Sequence, residues 1–235
     1  MTMPSTSAKK IRVAILDDHQ SSLDSYTLRL TGKGNIEVVG TAGYGVELDP
    51  LLEENQVDVL ILDVGVPNSE EDRNPYPILH VLPRLRKSYP LMAVLIISMY
   101  DQPNLVKAAL DAGASGYILK EDREAIVQLA EVVTLVKTGG IYLSQKLRSM
   151  LVDAGTHRGP LLSARQKEAL SLAAAYPDIS TQEMAERMNI ASSTVRNLLS
   201  KAYKRLKVHS RSAAIEKARA LGLISPYLSG PNLTR

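Results

Sequence analysis

Four short apolar runs in the first half of the chain each stop at a polar side chain. That regularity limits the fold more than anything else in the sequence. Ile11 to Leu16 gives way to Asp17 and Asp18, Val59 to Leu62 to Asp63, Met92 to Ile97 to Ser98, and Gly116 to Leu119 to Lys120. A fifth run, Ile36 to Gly40, lies between the first two. Runs such as Val59-Leu60-Ile61-Leu62 show no polar alternation, as expected of strands buried on both faces. Helix-like stretches separate them. One runs from Ser21 or Ser22, the expected cap, to about Leu30, ended by Gly32 and Gly34. Others cover Glu47 to Asn55, Ile78 to Ser88, Pro103 to Asp111 and Arg123 to Lys137. Pro83 is a flaw inside the third, because proline removes a helical donor. Strands alternating with helices predict a parallel sheet covered on both faces, an α/β fold of five strands and five helices. In such a sheet the polar ends share one edge, where open α/β folds place their sites.

Carboxylates crowded on one edge repel, and each raises the proton affinity of the next. A divalent cation removes that repulsion. Mg2+ takes few protein oxygens, keeps several waters and is often bound beside phosphate. Asp18 and Asp63, with Asp17 through a water and the backbone carbonyl of Gly65, form a candidate Mg2+ set. Asp63 is then a candidate nucleophile toward phosphorus, giving an aspartyl phosphate. The metal and the Lys120 ammonium would offset the developing charge. Ser98 would donate a hydrogen bond to the new phosphoryl oxygen. Taken singly, an Asp ending a strand is usually a turn or cap residue, a Lys there is solvated, and a Ser is a cap. The functional reading rests on the ordered set.

The rest of the chain is of another kind. Residues 1–155 hold 15 basic and 20 acidic side chains, net −5, whereas residues 156–235 hold 13 and 5, net +8. This asymmetry suggests two domains with different partners, nucleic acid for the basic one, against the plainer reading of a solvated basic surface. The absence of Cys excludes disulfides, thiol catalysis and Cys-ligated metals. Without Trp or Phe, a stacking platform for single strands is disfavoured. The lack of any long apolar run speaks against a membrane and for the cytoplasm. Residues 1–10 lack an apolar signal core and read as a disordered leader.

Residues 11–137 form the expected α/β domain. Thr138-Gly139-Gly140 breaks its last helix, and 138–160 reads as a linker with a short helix from Ser144 to Ala154. Residues 161–224 read as all helical. Ser163 caps a helix to about Ala175, and Tyr176-Pro177-Asp178 stops it. Ser180 or Thr181 caps the next, with Met184, Ala185 and Met188 on its apolar face. After the turn Asn189 to Ser192 come helices from Ser193 to Leu206 and from Ser210 to Leu221. Residues 225–235 read as a disordered tail. In the third helix Val195, Leu199, Ala202 and Leu206 make one apolar stripe. Arg196, Asn197, Ser200 and Lys204 share another face, with Lys201 nearby. A DNA-recognition helix needs this division. Arg196 suits guanine and Asn197 adenine, whereas Lys201, Lys204, Arg205 and Lys207 suit phosphates. A merely amphipathic helix would show the same stripe.

Leu16-Asp17-Asp18-His19, Leu62 to Pro67, Ile97-Ser98-Met99-Tyr100 and Ala112 to Lys120 together resemble the receiver domain of two-component response regulators. Leu162 to Leu170, Glu183 to Ile190, Ser193 to Asn197 and Leu206 to Arg211 resemble the LuxR/NarL-type helix-turn-helix domain. The first resemblance implies a flavodoxin-like sheet of order 2-1-3-4-5, phosphotransfer from a histidine kinase to Asp63, and a switch in which Ser98 moves and Tyr117 rotates inward. The second implies four helices, double-stranded DNA as partner, and a homodimer through the last helix, with Ala213, Ala214, Ala218 and Leu221 as contacts. Departures from the family pattern are the long polar loop 68–77, Pro83, Met99, Tyr176-Pro177-Asp178 and Leu198. The expected function is a phosphorylation-switched transcription regulator, not an enzyme. Two alternatives are a phosphorylation-independent DNA-binding dimer and an Asp-nucleophile phosphohydrolase. The latter needs a second Asp where Gly65 stands.

Overall fold

The computed structural model describes residues 10–32, 35–154 and 161–227. Most of the expected leader, Gly34, residues 155–160 of the expected linker and residues 228–235 of the tail lie outside them. Strands β1 (Ile11–Leu16), β2 (Ile36–Ala42), β3 (Val59–Leu62), β4 (Ala93–Ser98) and β5 (Gly116–Leu119) alternate with helices. These are α1 (Gln20–Thr31), α2 (Leu48–Glu54), α3 (Ile78–Ser88), α4 (Pro103–Asp111), α5 (Arg123–Val127) and α6 (Leu129–Lys137). Then come β6 (Tyr142–Leu143), α7 (Gln145–Ala154), α8 (Ala164–Ala175), α9 (Thr181–Met188), α10 (Ser192–Leu206) and α11 (Arg211–Ala220). No helix among the described residues is long and apolar enough to cross a membrane.

The sheet is parallel throughout, in the order β2-β1-β3-β4-β5-β6. The expected 2-1-3-4-5 order is present, with a sixth strand where five were expected. That strand falls in the stretch expected as linker. It reaches β5 because Gly116 leaves room: a Cβ there would stand 2.7 Å from the Tyr142 carbonyl oxygen. Side chains alternate across the pleat. Val13, Ile15, Ile61, Leu95, Ile97 and Ile118 face α1, α5 and α6, and Ala14, Leu16, Leu60, Leu62, Val94 and Ile96 face α2, α3 and α4. The expected single last helix is two, because Gln128, with ψ of 24°, leaves helical geometry between α5 and α6. The cap of α1 is His19 and not Ser21 or Ser22, since helical bonding already begins at the His19 carbonyl.

The second apolar layer does not stop at the receiver-like part. It continues through Leu147 and Leu162 into α8, α9, α10 and α11. Every residue of α8 from Gln166 to Ala175 is buried, because α3 packs on one side and α10 and α11 on the other. Burying a leucine such as Leu170 or Leu172 this completely stabilises the fold by roughly 1.5–3 kcal/mol. Polar bonds seal the junction. His80 Nδ1 lies 3.1 Å from Glu168 Oε1. Asn68 Nδ2 donates to the Ala175 carbonyl at 2.8 Å, and Asn104 Nδ2 to the Leu221 carbonyl at 2.9 Å. The start of the expected disordered tail is packed as well: Ser225 is buried, and Tyr227 lies under the Arg219 guanidinium.

Candidate functional site

Register delivers the site. Leu16 stands opposite Leu62 and Ser98 opposite Leu119, so the residues just past them meet at one edge. Asp17 and Asp63 are 1% and 4% exposed. The Lys120 ammonium lies 2.7 Å from Asp17 Oδ2 and 2.8 Å from Asp63 Oδ2, bridging the two strand ends. Backbone donors hold the other oxygens: His19 N–H to Asp17 Oδ1 at 2.9 Å, and Gly65 N–H to Asp63 Oδ1 at 3.0 Å. Burial pushes the Asp17 carboxyl above its usual range, the nearby Asp63 charge adds to this, and Lys120 works against both. Burial also pulls the Lys120 ammonium down, but Asp63 and Asp17 more than offset it and keep it protonated.

Ser98 is fully buried, and its hydroxyl, close to the Tyr117 hydroxyl, makes no well-formed hydrogen bond among the described residues. An unmade buried hydrogen bond costs about 1–3 kcal/mol, so a group in this state needs a reason. Tyr117 already lies inside: its ring is fully buried and its hydroxyl donates to the Tyr100 carbonyl at 2.7 Å. Burial raises its proton affinity well above that of an ordinary tyrosine, so it is a neutral donor.

The donor set fits a small divalent cation. Ligand atoms from Asp17, Asp18, His19 and Asp63 lie within 4.8 Å of one another. Oxygens sharing an octahedral Mg2+ stand ~3–4 Å apart, so small side-chain movements suffice. Sequence reasoning singled out Asp17, Asp18, Asp63, Ser98, Tyr117 and Lys120, and the fold brings them to one edge. It missed two neighbours. His19 Nδ1 lies 2.9 Å from Asp18 Oδ1. Arg73, from the long loop, reaches within 4.0 Å of Asp18 Oδ2. The signal for Arg73 was the extra length of that loop directly after Asp63.

The loop 66–76 folds back on itself. Pro67 and Pro75 are bridged, Tyr76 N–H bonds the Val66 carbonyl, and Asp72 accepts from Asn68 and Asn74. It therefore has one end at Asp63 and, through Asn68, a bond to the end of α8.

In the helical part, Ser163 and Ser180 each close a capping box with Gln166 and Glu183. Asn189 takes left-handed geometry, φ 51°, to turn α9 into α10. Tyr176, in the unusual connection, lies 4.0 Å under the Arg187 guanidinium. As expected, Val195, Leu199, Ala202 and Leu206 are buried. Arg196, Asn197, Ser200, Lys201, Lys204, Arg205 and Lys207 are all exposed, so the receiver side does not cover this face. Arg205 also leans back toward the Leu161 carbonyl and Gln166, each at 3.4 Å. Of the expected dimer contacts, Ala214 and Ala218 are spent inside the chain's own core, while Ala213 is half-buried and Leu221 exposed.

Residues 13–131 match the response regulator receiver domain, and residues 160–218 the bacterial regulatory proteins of the luxR family. The chain is 30% identical over 219 residues to the oxygen regulatory protein NreC of Staphylococcus carnosus, covering 88% of this chain and 96% of the relative. It is 29% identical over 225 residues to the probable transcriptional regulatory protein NarL of Mycobacterium tuberculosis, covering 92% and 97%. A structure of the response regulator RcsB from Salmonella typhimurium matches with TM-score 0.60 at 22% identity, over 91% of this chain and 98% of that one. RcsB bound to promoter DNA with the phosphomimetic BeF3− matches with TM-score 0.61 at 20% identity, over 90% and 100%.

Proposed function

The chain belongs to the two-component response regulators, a receiver domain joined to a LuxR-family DNA-binding domain, and from that premise we propose that phosphorylation of Asp63 switches it between two domain arrangements. A histidine kinase is the expected donor, with this chain acting in the cytoplasm. An Asp63 carboxylate oxygen attacks phosphorus, the bond to the donor's nitrogen breaks, and the phosphoryl group passes to Asp63. Asp17, Asp18, Asp63 and the Gly65 carbonyl would hold Mg2+, which supplies countercharge to the phosphoryl oxygens when bound. Lys120, now bridging Asp17 and Asp63, follows the new charge onto the phosphoryl group. Ser98 gains a phosphoryl oxygen as a well-placed acceptor and draws the end of β4 toward Asp63.

The turn after β4 touches the DNA-binding domain. Tyr100 donates to the Tyr227 carbonyl at 3.2 Å, Asn104 holds Leu221, and Gln102 lies against Gly222. Movement of Ser98 therefore loosens the end of α11, and a second copy can pair with the domain on a two-fold-related DNA site. Arg196 and Asn197 read bases, while Ser200, Lys201, Lys204, Arg205 and Lys207 meet the backbone. With Ala214 and Ala218 committed to the core, a dimer through α11 would use Ala213 and Leu221.

The observation that carries this reading is the Lys120 bridge between two buried carboxylates, beside a buried serine hydroxyl that makes no well-formed hydrogen bond among the described residues. The phosphohydrolase alternative lacks its second carboxylate, and a Cβ at Gly65 would already stand 3.3 Å from the Tyr100 ring. Intact-mass measurement after incubation with acetyl phosphate and Mg2+ tests the chemistry. One added phosphoryl group is expected on the wild type, and none on Asp63→Asn or with the metal chelated. Equal labelling of Asp63→Asn would overturn the assignment.

A further inference from the structure

A cavity of about 420 Å³ lies between the two domains, away from the acidic edge. Its walls come from α3, α4 and the start of α8. Leu79, Pro83, Ala108, Ala112, Leu162 and Ala164 make it mostly apolar. Its charges are unevenly matched. The two carboxylates are already engaged: Glu168 by His80 at 3.1 Å and Arg165 at 2.9 Å, Asp111 by Lys107 at 3.6 Å. Two cations are not. Lys167, 8% exposed, makes no hydrogen bond or ion pair among the described residues and feels the Asp111 carboxylate only from beyond contact, and Arg86, which lines the exposed side, makes none either.

Burying an ammonium without a direct partner is costly: burial lowers the proton affinity of Lys167, and the Asp111 charge offsets this only in part. An anion in the cavity would remove that cost. Apolar walls with a few convergent polar groups, in a cavity of this size, are the ordinary make-up of a small-molecule site. We propose that this interdomain cavity binds a small amphipathic carboxylate, its carboxylate between Lys167 and Arg86 and its apolar body over Leu79, Pro83, Ala108 and Leu162. Such a ligand touches both domains at once, so it favours the packed arrangement over any in which they separate.

Benzoate and hexanoate serve as probes on the full chain, with benzamide as the uncharged control and inorganic phosphate as the bare anion, read by saturation-transfer NMR. Both carboxylates are expected to bind, benzamide and phosphate to fail, and Lys167→Met to weaken binding at least about tenfold. Arg86→Gln, at an exposed position that leaves folding untouched, is expected to weaken it several-fold. No transfer to either carboxylate at millimolar concentration would overturn the proposal, as would binding unchanged in both variants or full displacement by phosphate. A final arm rests on the phosphorylation reading: benzoate is expected to bind the phosphorylated chain more weakly, and the two effects must be reciprocal. Equal affinity for both forms would remove the coupling and leave the binding site standing on the first arms.

Discussion

Asn68 ties the loop after Asp63 to the DNA-binding domain, and replacing it with alanine should partly release that domain without phosphorylation. Its Nδ2 donates to Asp72 Oδ2 and to the Ala175 carbonyl, both at 2.8 Å, and Asn68 is 2% exposed. The Asp72 bond lies within the receiver and is made whether or not the domains are packed. Only the Ala175 bond distinguishes the two arrangements. Ala175 is the last residue of α8, so its carbonyl has no successor in the helix to satisfy it. Leaving it buried and unpaired costs about 1–3 kcal/mol. A value of about 1.4 kcal/mol, in the lower half of that range, shifts the packed-to-released ratio by roughly tenfold. Fluorescence anisotropy on a selected DNA site, without phosphodonor, should show Asn68→Ala binding about tenfold more tightly than wild type. Asp72→Asn keeps the Ala175 bond and should stay near wild type. If Asn68→Ala loses thermal stability while its DNA affinity stays within about twofold, the bond only stiffens the loop and the reasoning fails.

The buried carboxylate pair makes its own prediction. Because the folded Asp17 proton affinity is raised, its ionised form opposes folding at neutral pH, and this penalty fades as pH falls through the folded value toward the unfolded one. In metal-free buffer Asp17→Asn should therefore raise the thermal midpoint at pH 7 and lose that advantage in acid. An Asp17→Asn chain less stable at both pH values would contradict it. On DNA, Lys204→Ala should weaken binding to all sequences alike and reduce the salt slope by about 1, whereas Arg196→Ala should cost about 1–3 kcal/mol and relax preference at one base position. Titrations against matched and mismatched duplexes at several salt concentrations separate the two.

Much of this was legible in the sequence, for reasons that can be named. The runs from Ile11, Val59, Met92 and Gly116 were long and apolar enough to be strands. The side chains that end them share an edge because parallel register aligns Leu16 with Leu62 and Ser98 with Leu119. The α10 stripe was legible because one helix face must be buried, and Val195, Leu199, Ala202 and Leu206 are. Less local features escaped. β6 is two residues long, too short for any periodicity, and its pairing depends on room at Gly116. The break at Gln128 leaves no mark in a helix-forming run. Burial of α8 on all sides follows from how two domains meet, and its own pattern of Lys, Glu, Ser and Ala reads as one exposed face. The same holds for Arg73 beside Asp18 and Asn68 on Ala175, which need the folded path of the loop. Ala214 and Ala218, expected as partner contacts, are buried within the chain because α8 and α10 pack on that side of α11.

The central claim is that the state of Asp63 controls the basic helix. DNA affinity of the wild type and of Asp63→Ala, each measured with Mg2+ and with or without acetyl phosphate, tests it most directly. The account requires tighter DNA binding by the wild type when the donor is present, and no response from Asp63→Ala. Identical wild-type affinity with and without donor, in a sample shown by mass to carry the phosphoryl group, would contradict it.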